Sequence, residues 1–145
     1  MFKFIKSKNS LTLNKYLKKK LKKNESIFRY NFHNNNDDSN QLMMIWQKKN
    51  YFFPPKKFLD SHKIYILMKG KLNIYIFNSK GKLLKIHKLT KVDPVCRLKK
   101  NVFHADVAKT SQAIHCEITN HSFNKRKMIF LKKKYYSKVK KILKS

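Results

Sequence analysis

Among 145 residues there are only two glycines, Gly70 and Gly81, and both fall inside one stretch of alternating side chains from His62 to Leu89. Ile64, Ile66 and Met68 alternate with Tyr65, Leu67 and Lys69. Past Gly70, Leu72, Ile74 and Ile76 alternate with Asn73, Tyr75 and Phe77. Asn78-Ser79-Lys80-Gly81 is a turn with glycine where a positive φ is needed, and a third strand runs through Leu83 to Leu89. Period-two patterning rich in β-branched and aromatic residues, cut by glycine turns, specifies strands. The stretch predicts a three-stranded antiparallel meander, with Leu72, Ile74 and Ile76 facing one core.

Other segments repeat the pattern. Ile27–His33 sets Arg29, Asn31 and His33 on one face and Phe28, Tyr30 and Phe32 on the other. Further strands are predicted over Leu42–Gln47, Val95–Leu98, Val102–Val107 and Ala113–Thr119. Asn34–Asn40 reads as a polar loop, and Pro54-Pro55 as a loop or strand edge. Helical spacing occurs only near the ends. Leu13, Leu17 and Leu21 predict an amphipathic helix over Leu11–Lys23. Tyr135, Tyr136, Val139, Ile142 and Leu143 predict a basic helix within Lys132–Ser145. The expected organisation is a helical segment over 1–26, a β domain over 27–124 and a basic C-terminal helix over 125–145. Seven or more short strands in series exclude a parallel α/β fold and leave a jelly roll or small barrel.

Lys plus Arg number 36 against 7 Asp plus Glu, a formal charge of +29. Such a chain attracts polyanions non-specifically and in a salt-dependent way. Two explanations stand: selected RNA binding, or an AT-rich coding sequence in which lysine and asparagine accumulate. The scarcity of arginine (Arg29, Arg97 and Arg126) and the scatter of lysines through every segment favour drift. Cys96 and Cys116 lack a CxxC partner and read as small apolar residues of a reducing compartment, so a cytoplasmic location is expected. No apolar run approaches a membrane span.

From about Arg29 to Phe123 the order of these pieces resembles the WbuC-type cupins, small jelly-roll proteins associated with bacterial surface-polysaccharide gene clusters. FRYNFH at 28–33 resembles that family's Arg-x-Asn-x-His strand, and Asp38–Gln41 its Asp-Pro-x-Gln. Gly70 and the IFNSKG turn sit where the family has LEG and LFDDDG. Val102-Phe103-His104 resembles Thr-Trp-His, and Cys116-Glu117-Ile118 resembles Phe-Glu-Val. The resemblance implies a cupin double-stranded β-helix, a divalent metal in the parent family, and pairing of two copies through edge strands into a homodimer.

The family's metal ligands are largely missing. Its two early histidines fall on Lys56 and Phe58, and its glutamate on Lys63. Only the late histidine remains, as His104. A protonated lysine offers no lone pair, so the usual metal site is not expected, and His104 alone is a weak metal candidate. The resemblance points instead to a pocket for a small polar or anionic ligand, such as a sugar nucleotide, lined by Arg29, Asn31, His33, Lys56, Lys63 and His104. His104 and Glu117 are the candidates for acid–base chemistry. His87, His115 and His121 carry no spacing signal.

Three functions follow from these readings. The first is a degenerate cupin related to O-antigen or lipopolysaccharide sugar metabolism, with no cofactor. The second is a basic RNA-associated protein of ribosomal type. The third is an enzyme with a rearranged metal site from His33, His104 and Glu117. Fold alone does not decide among them.

Overall fold

The computed structural model describes residues 25–124 and 127–144. The helix expected over Leu11–Lys23 lies outside the described residues. Among the described residues ten strands follow one another: β1 (Ile27–Asn31), β2 (Gln41–Lys48), β3 (Lys56–Phe58), β4 (Lys63–Lys69), β5 (Leu72–Phe77), β6 (Leu83–Leu89), β7 (Val95–Leu98), β8 (Phe103–Ala108), β9 (Gln112–Thr119) and β10 (Met128–Phe130). A 3-10 turn at Lys133–Tyr135 leads into helix α1 (Tyr136–Lys144). The strands form two five-stranded sheets, ordered β1-β2-β9-β4-β7 and β10-β3-β8-β5-β6. Every pairing is antiparallel, and the two sheets face each other as a jelly roll.

The central stretch is not a meander. β5 and β6 form the expected hairpin, with Leu72 opposite Leu89 and Gly81 at φ 69°. β4, however, pairs with β7 and β9 in the other sheet. Gly70, at φ 85°, therefore carries the chain from sheet to sheet. A Cβ there would run into the backbone carbonyl of Gln112 and the Thr110 hydroxyl, so the crossover lies tight against the β8–β9 turn. Lys71 N–H donates to Thr110 Oγ1 (3.0 Å) and Lys109 N–H to Lys71 O (2.9 Å), stitching the two turns together.

Between the sheets, Tyr65 and Leu67 of β4 pack with Leu72 and Ile74 of β5, Leu89, Leu98, Ala108 and Ala113. Ile76 joins this cluster, as the alternation predicts. The opposite face of β5 is buried too. Tyr75 and Phe77, with Ala105 and Val107 of β8, take the apolar stripe of α1 through Val139 and Leu143. β10 pairs with β3 at the sheet edge, so the sheet extends past residue 124, the expected end of the β domain. Both cysteines are free, Cys96 buried and Cys116 half-buried. No helix among the described residues is long and apolar enough to cross a membrane.

Candidate functional site

One end of the space between the sheets remains open as a cavity of ≈ 370 Å³. β1 contributes Arg29 and Asn31, with His33 just beyond it. β3 supplies Lys56 and Phe58, β4 Lys63, and β9 Glu117 and Thr119. Strand parity explains these sets: residues two apart point to the same side of a pleated strand. The expected sharing of one face by Arg29, Asn31 and His33 is observed.

The rim is built by local polar contacts. Asp38 accepts from Asn34 N–H (2.6 Å), and Gln41 Nε2 donates to the carbonyls of Asn35 (3.0 Å) and Asp38 (3.1 Å), which folds the Asn34–Asn40 loop on itself. Phe123 N–H donates to Asn36 O at 2.7 Å and ties that loop to the chain after β9. His33 Nδ1–H donates to Leu42 O (3.1 Å), which fixes the ring at the rim.

The two lysines of the mouth are held differently. Lys63 is 3% exposed, and its Nζ donates to Glu117 Oε2 at 2.5 Å. Burial alone would raise the Glu117 carboxyl. The Lys63 ammonium, His115 and Lys56 outweigh it and hold that carboxyl well below the usual carboxylate range. Lys56 has no hydrogen-bond or ion-pair partner among the described residues. Its Nζ lies 4.6 Å from the centroid of the Phe53 ring and 5.7 Å from that of Phe58. Burial, and then the Lys63 ammonium, bring its pKa down from 10.5 to about 8. Arg29 faces the same Phe53 ring, with its guanidinium carbon 5.9 Å from the centroid.

His104 stands opposite Lys56 on β8 and behind the ring of Phe58, 6.4 Å between centroids. Burial and the Lys63 ammonium drive its pKa down to about 3. Its Nδ1–H donates to Val102 O at 2.9 Å, while Nε2 is buried without a partner. It is therefore a neutral imidazole beneath the pocket wall. Lys56, Phe58 and Lys63 line the cavity together, whereas His104, expected among them, packs against Phe58 without lining it.

The family's metal positions do not fit a metal. Lys56 and Lys63 are cations, Phe58 is a hydrocarbon ring, and the Lys63 ammonium itself occupies the Glu117 carboxylate. A different donor set lies deeper: one ligand atom each from Asp106, His115 and Glu117, all within 4.8 Å of one another. His115 Nε2 is 3.5 Å from Glu117 Oε1, too long for a good hydrogen bond. Both His115 nitrogens and the Tyr65 hydroxyl are buried without a hydrogen-bond partner among the described residues. His115, Asp106 and Tyr65 were not singled out from the sequence, although His115 and Glu117 are two apart on a strand and so must share a face. His33 is not in this set, so the rearranged site of His33, His104 and Glu117 is not the cluster that forms.

No family model matches the chain, and no curated protein does. Solved structures do. The capsular polysaccharide assembling protein CapF from Staphylococcus aureus is 12% identical, with a TM-score of 0.61, over 72% of this chain and 30% of CapF. Protein SO0799 from Shewanella oneidensis is 9% identical, with a TM-score of 0.62, over 81% of each chain. An oxalate oxidase, solved with the substrate analogue glycolate, is 14% identical, with a TM-score of 0.57, over 82% of this chain and 71% of that one. The fold is the cupin jelly roll. The chain spans about a third of the length of CapF.

Proposed function

We propose that the chain is a degenerate cupin of the WbuC type, whose mouth binds a small anionic ligand in place of the family's metal chemistry. The observation that carries this reading is Lys56: a cation facing a cavity, without a carboxylate partner among the described residues, beside the exposed Arg29. Lys63 is neutralised by Glu117, so Lys56 and Arg29 are the lysine and arginine left, among the described lining residues, to meet a ligand. Asn31 and His33 add further polar groups to the lining. His104 and Glu117 have no free proton to exchange near neutral pH, so the site is one for binding rather than acid–base catalysis. Two likenesses in fold support the reading: CapF assembles capsular polysaccharide, and the oxalate oxidase accepts the carboxylate glycolate. A sugar nucleotide is the finer candidate for this chain, through its pyrophosphate.

Calorimetric titration with glycolate, inorganic phosphate and a uridine diphosphate sugar tests this. At least one should bind to wild type, weaken with added salt, and lose roughly tenfold in affinity in Lys56→Met, a loss of ~1.4 kcal/mol. Absence of binding by all three would remove the proposal. The formal charge of +29 favours a second reading, RNA association. In that case structured RNA binds with a steep salt dependence and Lys56→Met leaves its affinity unchanged.

A further inference from the structure

Lys56 differs from a solvated lysine in every respect that governs amine reactivity. Two aromatic rings flank its Nζ where it meets the cavity, at 4.6 and 5.7 Å from their centroids. Ring faces attract a cation, but they return only part of what a carboxylate or full hydration supplies. The neighbouring Lys63 ammonium adds repulsion. These effects leave Lys56 with about 10²-fold more uncharged amine near neutral pH than a lysine at its ordinary pKa. An uncharged amine carries the lone pair that attacks a carbonyl carbon, and a lysine desolvated beside another cation is a known way of making one. The attack also needs a carbonyl delivered to it. Arg29 shares the Phe53 ring with Lys56, and its planar fork suits a carboxylate.

We propose that Lys56 condenses with the carbonyl group of a small oxo acid whose carboxylate is held by Arg29, forming a Schiff base inside the mouth. This rests on the reading of the mouth as an anion pocket. In the first half of the step the Nζ lone pair forms a C–N bond, the carbonyl π pair moves to oxygen, and a proton passes from nitrogen to that oxygen. The carbinolamine then loses that oxygen as water while nitrogen gives up a proton. One amine and one carbonyl become one imine and one water, with no oxidant or reductant consumed.

Glyoxylate is the direct probe. It joins an aldehyde to a carboxylate and has no α-hydrogen through which its imine could tautomerise. The full chain is incubated with glyoxylate and cyanoborohydride, which fixes an imine as a stable secondary amine, and the labelled lysines are located by peptide mass mapping. Lys56 should label at least ~10-fold faster than any other lysine, as its share of free amine requires. Glycolate, which has the carboxylate but no carbonyl, should slow that labelling. Arg29→Gln should slow it with glyoxylate and leave it unchanged with acetaldehyde, a carbonyl without the carboxylate. Lys56→Arg, checked for folding by circular dichroism, should remove the fast site alone. Labelling spread evenly over the lysines, with Lys56 no faster than the rest, overturns the proposal. If glycolate nevertheless binds calorimetrically, the Schiff base fails and the anion pocket survives. If neither glycolate nor phosphate nor the uridine diphosphate sugar binds, both fail.

Discussion

The two ends of the space between the sheets are made by the same strands with opposite chemistry. At the closed end β4 points Leu67 inward, β8 Ala108 and β9 Ala113, all in one apolar cluster. At the mouth the same strands point Lys63, His104 and Glu117 inward, each under 5% exposed. Only a few residues along each strand separate the two. The closed end gains from burying hydrocarbon, at roughly 25 cal/mol per Å². The mouth is a cost that has to be offset: each buried ionisable group must find a partner, lose its charge, or stay destabilised. All three solutions occur there. Lys63 and Glu117 pair, His104 stays neutral, and Lys56 is left short. The comparison separates the end that holds the fold from the end free to bind.

The sharpest way to break that division is to remove one partner of the buried pair. Glu117→Ala leaves the Lys63 ammonium buried without its carboxylate, and should lower unfolding free energy by about 3–5 kcal/mol. Lys63→Met together with Glu117→Leu should recover most of that loss, because no charge is then stranded. Denaturant unfolding of the two variants checks both. If Glu117→Ala costs less than about 1 kcal/mol, the mouth does not depend on the pair, and the contrast with the closed end disappears.

How far this was legible in the sequence differs between the two ends for physical reasons. Period two reports which residues share a face, so the inward set Leu72, Ile74 and Ile76 could be read directly. It does not report which strand lies alongside. β4 and β5 were therefore expected as neighbours, although they belong to different sheets. β5 gave no help, because Tyr75 and Phe77 on its second face are buried under α1. β3 and β10 are three residues each, too short to show any period. The helical stripe of Val139 and Leu143 was plain, since its spacing needs no knowledge of partners. At the mouth, the meeting of Lys56, Phe58 and Lys63 follows from the family resemblance, while His104, placed there by the same resemblance, lies outside the cavity lining. The ion pair of Lys63 with Glu117 did not. A salt bridge joins residues 54 apart in sequence, and nothing local marks it. His115 is different, because its parity with Glu117 alone puts the two on one face of β9.

A smaller effect sharpens the comparison from the other end. Leu72 is fully buried in the apolar cluster. Leu72→Ala should cost about 2–4 kcal/mol, through lost transfer energy and the cavity left behind. It should leave affinity for glycolate or phosphate at the mouth unchanged in the folded protein. A parallel loss of affinity would show that the two ends are mechanically coupled, and that the closed end is more than a support.

The smallest effect, and the only stabilising one, belongs to Lys56. Its folded pKa, about 8, lies below the 10.5 of an unperturbed lysine. Between those values the unfolded chain binds more protons than the folded one. The wild type therefore gains stability as pH rises from about 8 towards 10.5, and below pH 8 it carries the full cost of a poorly solvated ammonium. Lys56→Met keeps the length of the side chain against Phe53 and Phe58 and removes the titrating group. Because the ammonium reaches the open mouth, solvent offsets much of the cost, and the variant should be more stable than wild type by about 1 kcal/mol at pH 7. The advantage should shrink through pH 9 and vanish near pH 10.5. Paired thermal melts of wild type and Lys56→Met across that range read it directly. Were the variant less stable than wild type at pH 7, an unseen partner would have to be satisfying Lys56, and the mouth would hold no spare cation for a ligand.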